Sequence, residues 1–199
     1  YGLEVHGDLE PTDSPGLTLP DGLKVHGKLE VQNCPDLTLP DELEVSGNLD
    51  LRGCTDLNSL PKGLTVHGNL DLSHCTCLTS LPDELTVGGE LNLDDCTSLI
   101  SLPDYVFNLN SNQYVFALNT GIPVRLIARY NSRQNETGYS GPQLFFSYRN
   151  YHSTDVNAAS LPSLVCDLKG LHNRAPHSLW AFAKRETEAG SLFNSFAIF

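Results

Sequence analysis

The chain has 199 residues, with 24 Asp+Glu against 12 Lys+Arg, a formal net charge of −12 and 40% hydrophobic residues. No apolar run approaches the ~20 residues of a membrane span, and no basic-then-apolar leader opens the chain. Residues 1–104 carry 19 acidic and 4 basic residues, a net of −15, while 105–199 carry 5 and 8, a net of +3. The acidic half repels phosphates, which excludes nucleic acid as its partner, whereas a basic protein would be steered toward it. The chain starts at Tyr1 and has no methionine, which reads as a processed product or a piece of a longer one.

The first half is a repeat. Prolines recur at Pro20, Pro40, Pro61, Pro82 and Pro103, and glycines at Gly7, Gly27, Gly47, Gly68 and Gly89, both in steps of 20, 20, 21 and 21 residues. A Leu-x-Leu-x-x-Cys-x-x-Leu core at this period is the leucine-rich repeat signature. Such a unit cannot bury its own leucines, so the units must stack as a solenoid. In each unit two alternating segments flank the glycine, as in Leu64-x-Val66 and Leu70-x-Leu72. Alternation predicts strands with one buried face. The glycine permits a tight bend or a close approach of the next coil, and Leu-Pro gives an extended corner. Repeats this short leave little room for a full helix on the convex side, where extended or turn structure is expected instead.

Parallel strands are predicted near residues 29–31, 49–51, 70–72 and 91–93. Leu9, Leu29, Leu49, Leu70 and Leu91 form one inward column, and Val31, Leu51, Leu72 and Leu93 a second. Cys34, Cys54, Cys75 and Cys96 share one register. That regularity suits buried free thiols and a reducing destination, although stacked coils bring the sulfurs close enough for pairing. Cys75-x-Cys77 beside His74 lacks a second ligand pair and is read as no metal site. His6, His26 and His67 share another register and read as surface histidines, since no carboxylate or cysteine sits at ligand spacing within it. The first unit is degenerate, with Pro11 and Ser14 at core positions.

Outward on the concave sheet point Glu10, Glu30, Asp50, Asp71 and Asn92. Stacked like charges oppose folding, so either solvent screens this ladder or a basic partner uses it. Lys28, Asn48, Asn69 and Glu90 run on one side and Gln32, Arg52, Ser73 and Asp94 on the other. The expected substrate-binding set is Glu30, Gln32, Asp50, Arg52, Asp71, Ser73, Asn92 and Asp94. After Pro103 the period stops. Tyr114–Leu118 alternates and predicts one last strand that covers the solenoid end. Ile122–Gln134 reads as a helix, with Pro123 in its first turn and Arg125, Arg129 and Arg133 on one face. A polar loop follows to Pro142, and then an extended run through Leu144, Phe146 and Tyr148.

The segment Gly138-Tyr139-Ser140-Gly141-Pro142-Gln143-Leu144-Phe145-Phe146-Ser147 resembles the junction of the IpaH-type secreted bacterial ubiquitin-protein ligases. The helix Pro123–Tyr130 before it is similar to the one that follows the repeats in that family. Leu179-Trp180-Ala181-Phe182, Glu186, Phe193 and Phe196 are similar to a helix of its catalytic domain. The repeats differ from the common family form in carrying Leu-x-Val-x-Gly and a cysteine. The resemblance implies an α/β chain: a leucine-rich repeat domain of parallel strands over 1–104, a cap and linker over 105–137, and the start of a mainly α-helical ligase domain over 138–199. It implies secretion by bacteria and action in the host cytoplasm, with a host protein bound on the concave face. Ubiquitin and its conjugating enzyme would engage only the catalytic portion.

The family's nucleophile is a cysteine in a Cys-x-Asp setting, since a thiolate both attacks and leaves well. That motif would lie beyond Phe199. Cys166-Asp167 lacks the intervening residue, and its apolar neighbours suggest a packed thiol. The chain therefore carries no catalytic residue, metal ligand or cofactor by this reading. Two alternatives stay open: a stand-alone protein-binding module without enzymatic activity, and a structural or surface repeat protein. The cysteine column counts against the last.

Overall fold

The structure is a computed structural model that describes residues 2–147. Expectations placed on Tyr148, Cys166, the Trp180 helix and the rest of the C-terminal portion lie outside the described residues. Each repeat forms one coil of a parallel β-solenoid. The first segment of each coil gives the short strands β1 (Glu4–Val5), β2 (Lys24–Val25), β4 (Glu44–Val45), β6 (Thr65–Val66) and β8 (Thr86–Val87). The second gives β3 (Leu29–Glu30), β5 (Leu49–Asp50), β7 (Leu70–Asp71) and β9 (Leu91–Asn92). β10 (Tyr114–Ala117) and β11 (Gln143–Phe146) follow, with helix α1 (Val124–Gln134) between them.

The two alternating segments expected in each repeat build two separate sheets, where the sequence reading places only the second segments in one. β1-β2-β4-β6-β8 make a five-stranded sheet and β3-β5-β7-β9-β10-β11 a six-stranded one. Both are parallel throughout, and every rung pairs equivalent residues, as in Leu49 with Leu70 and Val45 with Val66. The two sheets arise because the chain bends at the glycine and both flanking segments stay extended. At that bend Gly47 N donates to Gly27 O (2.9 Å), Gly68 N to Gly47 O (3.0 Å) and Gly89 N to Gly68 O (2.9 Å). A Cβ on Gly47 would lie 2.7 Å from Gly27 O. Close approach, rather than an unusual φ, explains the glycine.

The expected leucine columns and the cysteine column are buried from the second coil onward. Each fully buried leucine contributes roughly 1.5–3 kcal/mol. The thiols of Cys54, Cys75 and Cys96 donate to Val31 O (3.0 Å), Leu51 O (3.2 Å) and Leu72 O (3.1 Å) of the preceding coil. Burial pushes the Cys54 thiol up to about 11 and Cys96 up to about 12, so neither is a nucleophile. The five described cysteines are free. In the first coil Val5, Leu9, Leu17 and Leu19 are only partly buried.

Beyond Pro103 the structure differs from the expectation of a single covering strand. β10 is another rung, pairing Val115 with Leu91, and β11 pairs Leu144 with Val115 outside it. Two glutamines finish the sheet edges. Gln113 Nε2 donates to Val87 O and Gly89 O (both 2.7 Å), supplying the rung that β8 would take from a next coil. Gln134 accepts from Leu144 N (2.8 Å) and donates to Leu144 O (3.3 Å), satisfying the outer edge of β11. Tyr130 of α1 packs against Phe107 and Phe146, and its hydroxyl accepts from Leu102 N (3.2 Å).

Gly47→Ala should destabilise the solenoid by about 1–3 kcal/mol, the usual cost of overpacking. Urea unfolding followed by far-UV circular dichroism checks this, with the exposed Ser46→Ala as a control that leaves the midpoint in place.

Candidate functional site: the outer face of the six-stranded sheet

The parallel register dictates this face. Because Leu29, Leu49, Leu70 and Leu91 point inward, the next residues, Glu30, Asp50, Asp71 and Asn92, point outward and stand side by side. Gln32, Arg52, Ser73 and Asp94 follow two residues later, so the structure brings all eight expected residues together in two adjacent columns.

The carboxylates are not left to solvent. Arg52 Nη2 lies 2.7 Å from Asp50 Oδ2, and its Nε 3.8 Å from Asp71 Oδ2. Lys28 Nζ lies 2.6 Å from Glu10 and 3.0 Å from Glu30. Gln32 Nε2 donates to Asp50 (2.9 Å), Ser73 Oγ to Asp71 (2.6 Å) and Asn92 Nδ2 to Asp71 (3.4 Å). The ladder of like charge is therefore interleaved with the chain's own donors, a third outcome beside solvent screening and use by a partner. Ser73 is buried, with its hydroxyl committed to Asp71. Glu10, Glu30, Asp50, Asp71, Glu90 and Asp94 stand against Lys28 and Arg52, so the face keeps a negative excess.

Sequence reasoning missed the other end of this face. Phe116 pairs in register with Asn92, and Phe145 with Phe116. The column thus runs Glu30, Asp50, Asp71, Asn92, Phe116 and then Phe145, which is buried. Tyr114, Phe116 and Phe145 stack with centroids 5.3–6.3 Å apart. Tyr114 and Phe116 are half-buried. The alternation of Tyr114-Val115-Phe116-Ala117 was the available signal, once β10 is placed as a rung.

On the outer face of the five-stranded sheet the histidines do have carboxylate neighbours. Glu4 Oε2 lies 3.3 Å from His26 Nε2, and Glu44 Oε1 3.6 Å from His67 Nε2. These carboxylates come from the register two residues earlier, reached across one coil step, which inspection of the histidine register alone overlooks. A depression lined by Asn69, Glu90, Gln113 and Tyr114 measures about 260 Å³. It is smaller and more polar than the pockets that hold small molecules.

No protein-family model, curated protein or solved structure matches the chain.

Asp94 is the most perturbed carboxylate on the face. Burial, reinforced by the charges of Asp95 and Asp71, pushes it up to about 6, against a hydrogen bond from Leu118 N (2.8 Å) that favours the charged form. Folded, it keeps its proton to a higher pH than it does unfolded. Its contribution is thus fully present at acid pH and is lost as pH rises from the ordinary carboxylate value through about 6. Asp94→Asn should stabilise the fold at pH 7 by roughly 1–3 kcal/mol. That advantage should vanish near pH 4, as read by urea unfolding across the range.

Arg52→Ala removes the cation shared by Asp50 and Asp71. The expected loss is about 1 kcal/mol at low ionic strength. It should shrink in molar salt, which screens the exposed repulsion, and thermal melts at two salt concentrations measure it.

Proposed function

We propose that the solenoid is a protein-recognition module of leucine-rich repeats, which presents the outer face of the six-stranded sheet to a basic protein. The observation that carries the reading is the continuous column from Glu30 to Phe116, acidic along the coils and aromatic at the end. Charge of one sign speeds encounter with a basic partner. Partly exposed Tyr114 and Phe116 supply the aromatic anchors on which binding energy concentrates. Among the described residues, neither the buried thiols of Cys54 and Cys96 nor the polar depression supplies a reaction centre.

A photo-crosslinking residue at Gln32 or Asn92 should capture a protein from a host-cell extract, while one at Thr86, on the other sheet, should not. With the captured protein purified, Tyr114→Ala together with Phe116→Ala should weaken binding at least tenfold, chiefly through faster dissociation. Added salt should slow association. Equal capture from Thr86, or unchanged affinity in the double variant, would remove this face from the binding reading.

The ligase reading is a second proposal, in which this module selects a host substrate for an IpaH-type bacterial ubiquitin-protein ligase, secreted and acting in the host cytoplasm. It is supported by the resemblance at Gly138–Ser147 and along the 179–196 segment. The stand-alone module is favoured by a structural fact: Gln143–Phe146 within that junction forms the last rung of the solenoid, so solenoid packing accounts for its apolar residues. Under either reading, residues 1–199 should form no reducible adduct with ubiquitin in the presence of activating and conjugating enzymes. An adduct lost in Cys166→Ala would place a nucleophile inside this chain. A Cys-x-Asp motif encoded downstream would decide for the ligase.

A further inference from the structure

His6 and His26 hold equivalent positions on the first two coils. β1 and β2 pair Glu4 with Lys24 and Val5 with Val25, which brings the next outward side chains together. The two imidazoles stack with centroids 4.8 Å apart and planes within 5°. Glu4 Oε2 lies 3.3 Å from His26 Nε2. One ligand atom from each of Glu4, His6 and His26 lies within 4.8 Å of the others, and all three side chains are exposed. Lys24 stands beside Glu4 in the same column, with its ammonium paired to Glu44 on the far side at 2.7 Å.

Two imidazoles and a carboxylate are the donor set of metal sites that keep an open position. Ligand atoms on one tetrahedral zinc stand about 3.3 Å apart. The cluster closes to that spacing by χ rotation, which exposed side chains retain. We propose that Glu4, His6 and His26 bind a divalent transition metal, with water completing the coordination. Such an ion would tie the first coil to the second. Among the described residues, Leu3 of that coil is 55% exposed and β1 pairs on one side only, so the ion would add a tie where existing contacts are few. The competing reading is a plain Glu4–His26 ion pair, which binds no metal.

The test is calorimetric titration of the full chain with zinc chloride. One equivalent should bind saturably. His6→Ala and His26→Ala should each weaken binding at least tenfold, and the near-isosteric Glu4→Gln several-fold, while His67→Ala leaves it unchanged. Cobalt substitution should give a spectrum without a thiolate charge-transfer band, which separates this site from exposed Cys77. Zinc should also slow hydrogen exchange at the amides of Lys24 and His26, which donate to Leu3 O and Val5 O across the rung (both 2.9 Å). Undiminished binding in the His6→Ala/His26→Ala double variant, an equal loss in His67→Ala, or a thiolate band would each overturn the site.

Discussion

Backbone stacking of one coil on the next is the constraint from which the rest follows. At the bend, Gly47, Gly68 and Gly89 hand their amides to the coil before them at 2.9–3.0 Å, leaving no volume for a side chain. Once that contact is set, the strands on either side must pair in parallel and in register. The leucines then form columns, and each column fills the space beneath its predecessor. Even the change of period obeys this rule. The step from 20 to 21 residues is an insertion between the Leu37-Thr38-Leu39 and Leu57-Asn58-Ser59-Leu60 versions of the corner. It falls away from both sheets. The bridge Thr18↔Thr38 belongs to the shorter coils, while the pairing of Leu49 with Leu70 and of Val45 with Val66 is undisturbed.

In-register stacking also forces like residues together, and the chain answers this within the same face. Glu30, Asp50 and Asp71 would repel as neighbours. Lys28 and Arg52 stand beside the column and each bridges two carboxylates. The acidic stripe is consequently a structural network as well as a surface. Charge reversal at Asp50 would remove the nearer partner of Arg52, and reversal at both Asp50 and Asp71 would leave it facing two cations, so such variants report on folding before they report on binding. Aromatic positions farther along the face are the cleaner probes of recognition.

Much of this was legible because periodicity carries it. The strands at 29–31, 49–51, 70–72 and 91–93, the buried cysteines and the outward placement of Glu30, Asp50, Asp71 and Asn92 follow from one spacing. What escaped were features that periodicity does not encode. Leu91 to Val115 spans 24 residues instead of 20 or 21, so β10 looked like a covering strand, although it is the next rung. Gln113 and Gln134 are unremarkable in sequence, yet they take over backbone rungs at the two sheet edges. The meeting of Glu4 with His26 depends on both a two-residue offset and a coil step, a diagonal that reading one register at a time leaves out.

The two ends of the solenoid differ in a way that bears on recognition. In quasi-one-dimensional folds each coil is stabilised mainly by its neighbours, so local stability falls toward an end with fewer contacts. At the β9–β11 end, α1 with buried Ile127 and Tyr130, the Tyr130–Leu102 hydrogen bonds and both glutamine rungs close the structure. The first coil has a core that is only partly buried. Asn92, Tyr114 and Phe116 thus sit on the stiffer end of the face. Side chains held on a rigid scaffold lose less entropy when a partner arrives. The aromatic end is where contact energy is gained at least ordering cost, while the acidic coils act at longer range on the rate of encounter. Recognition on this face divides between the two.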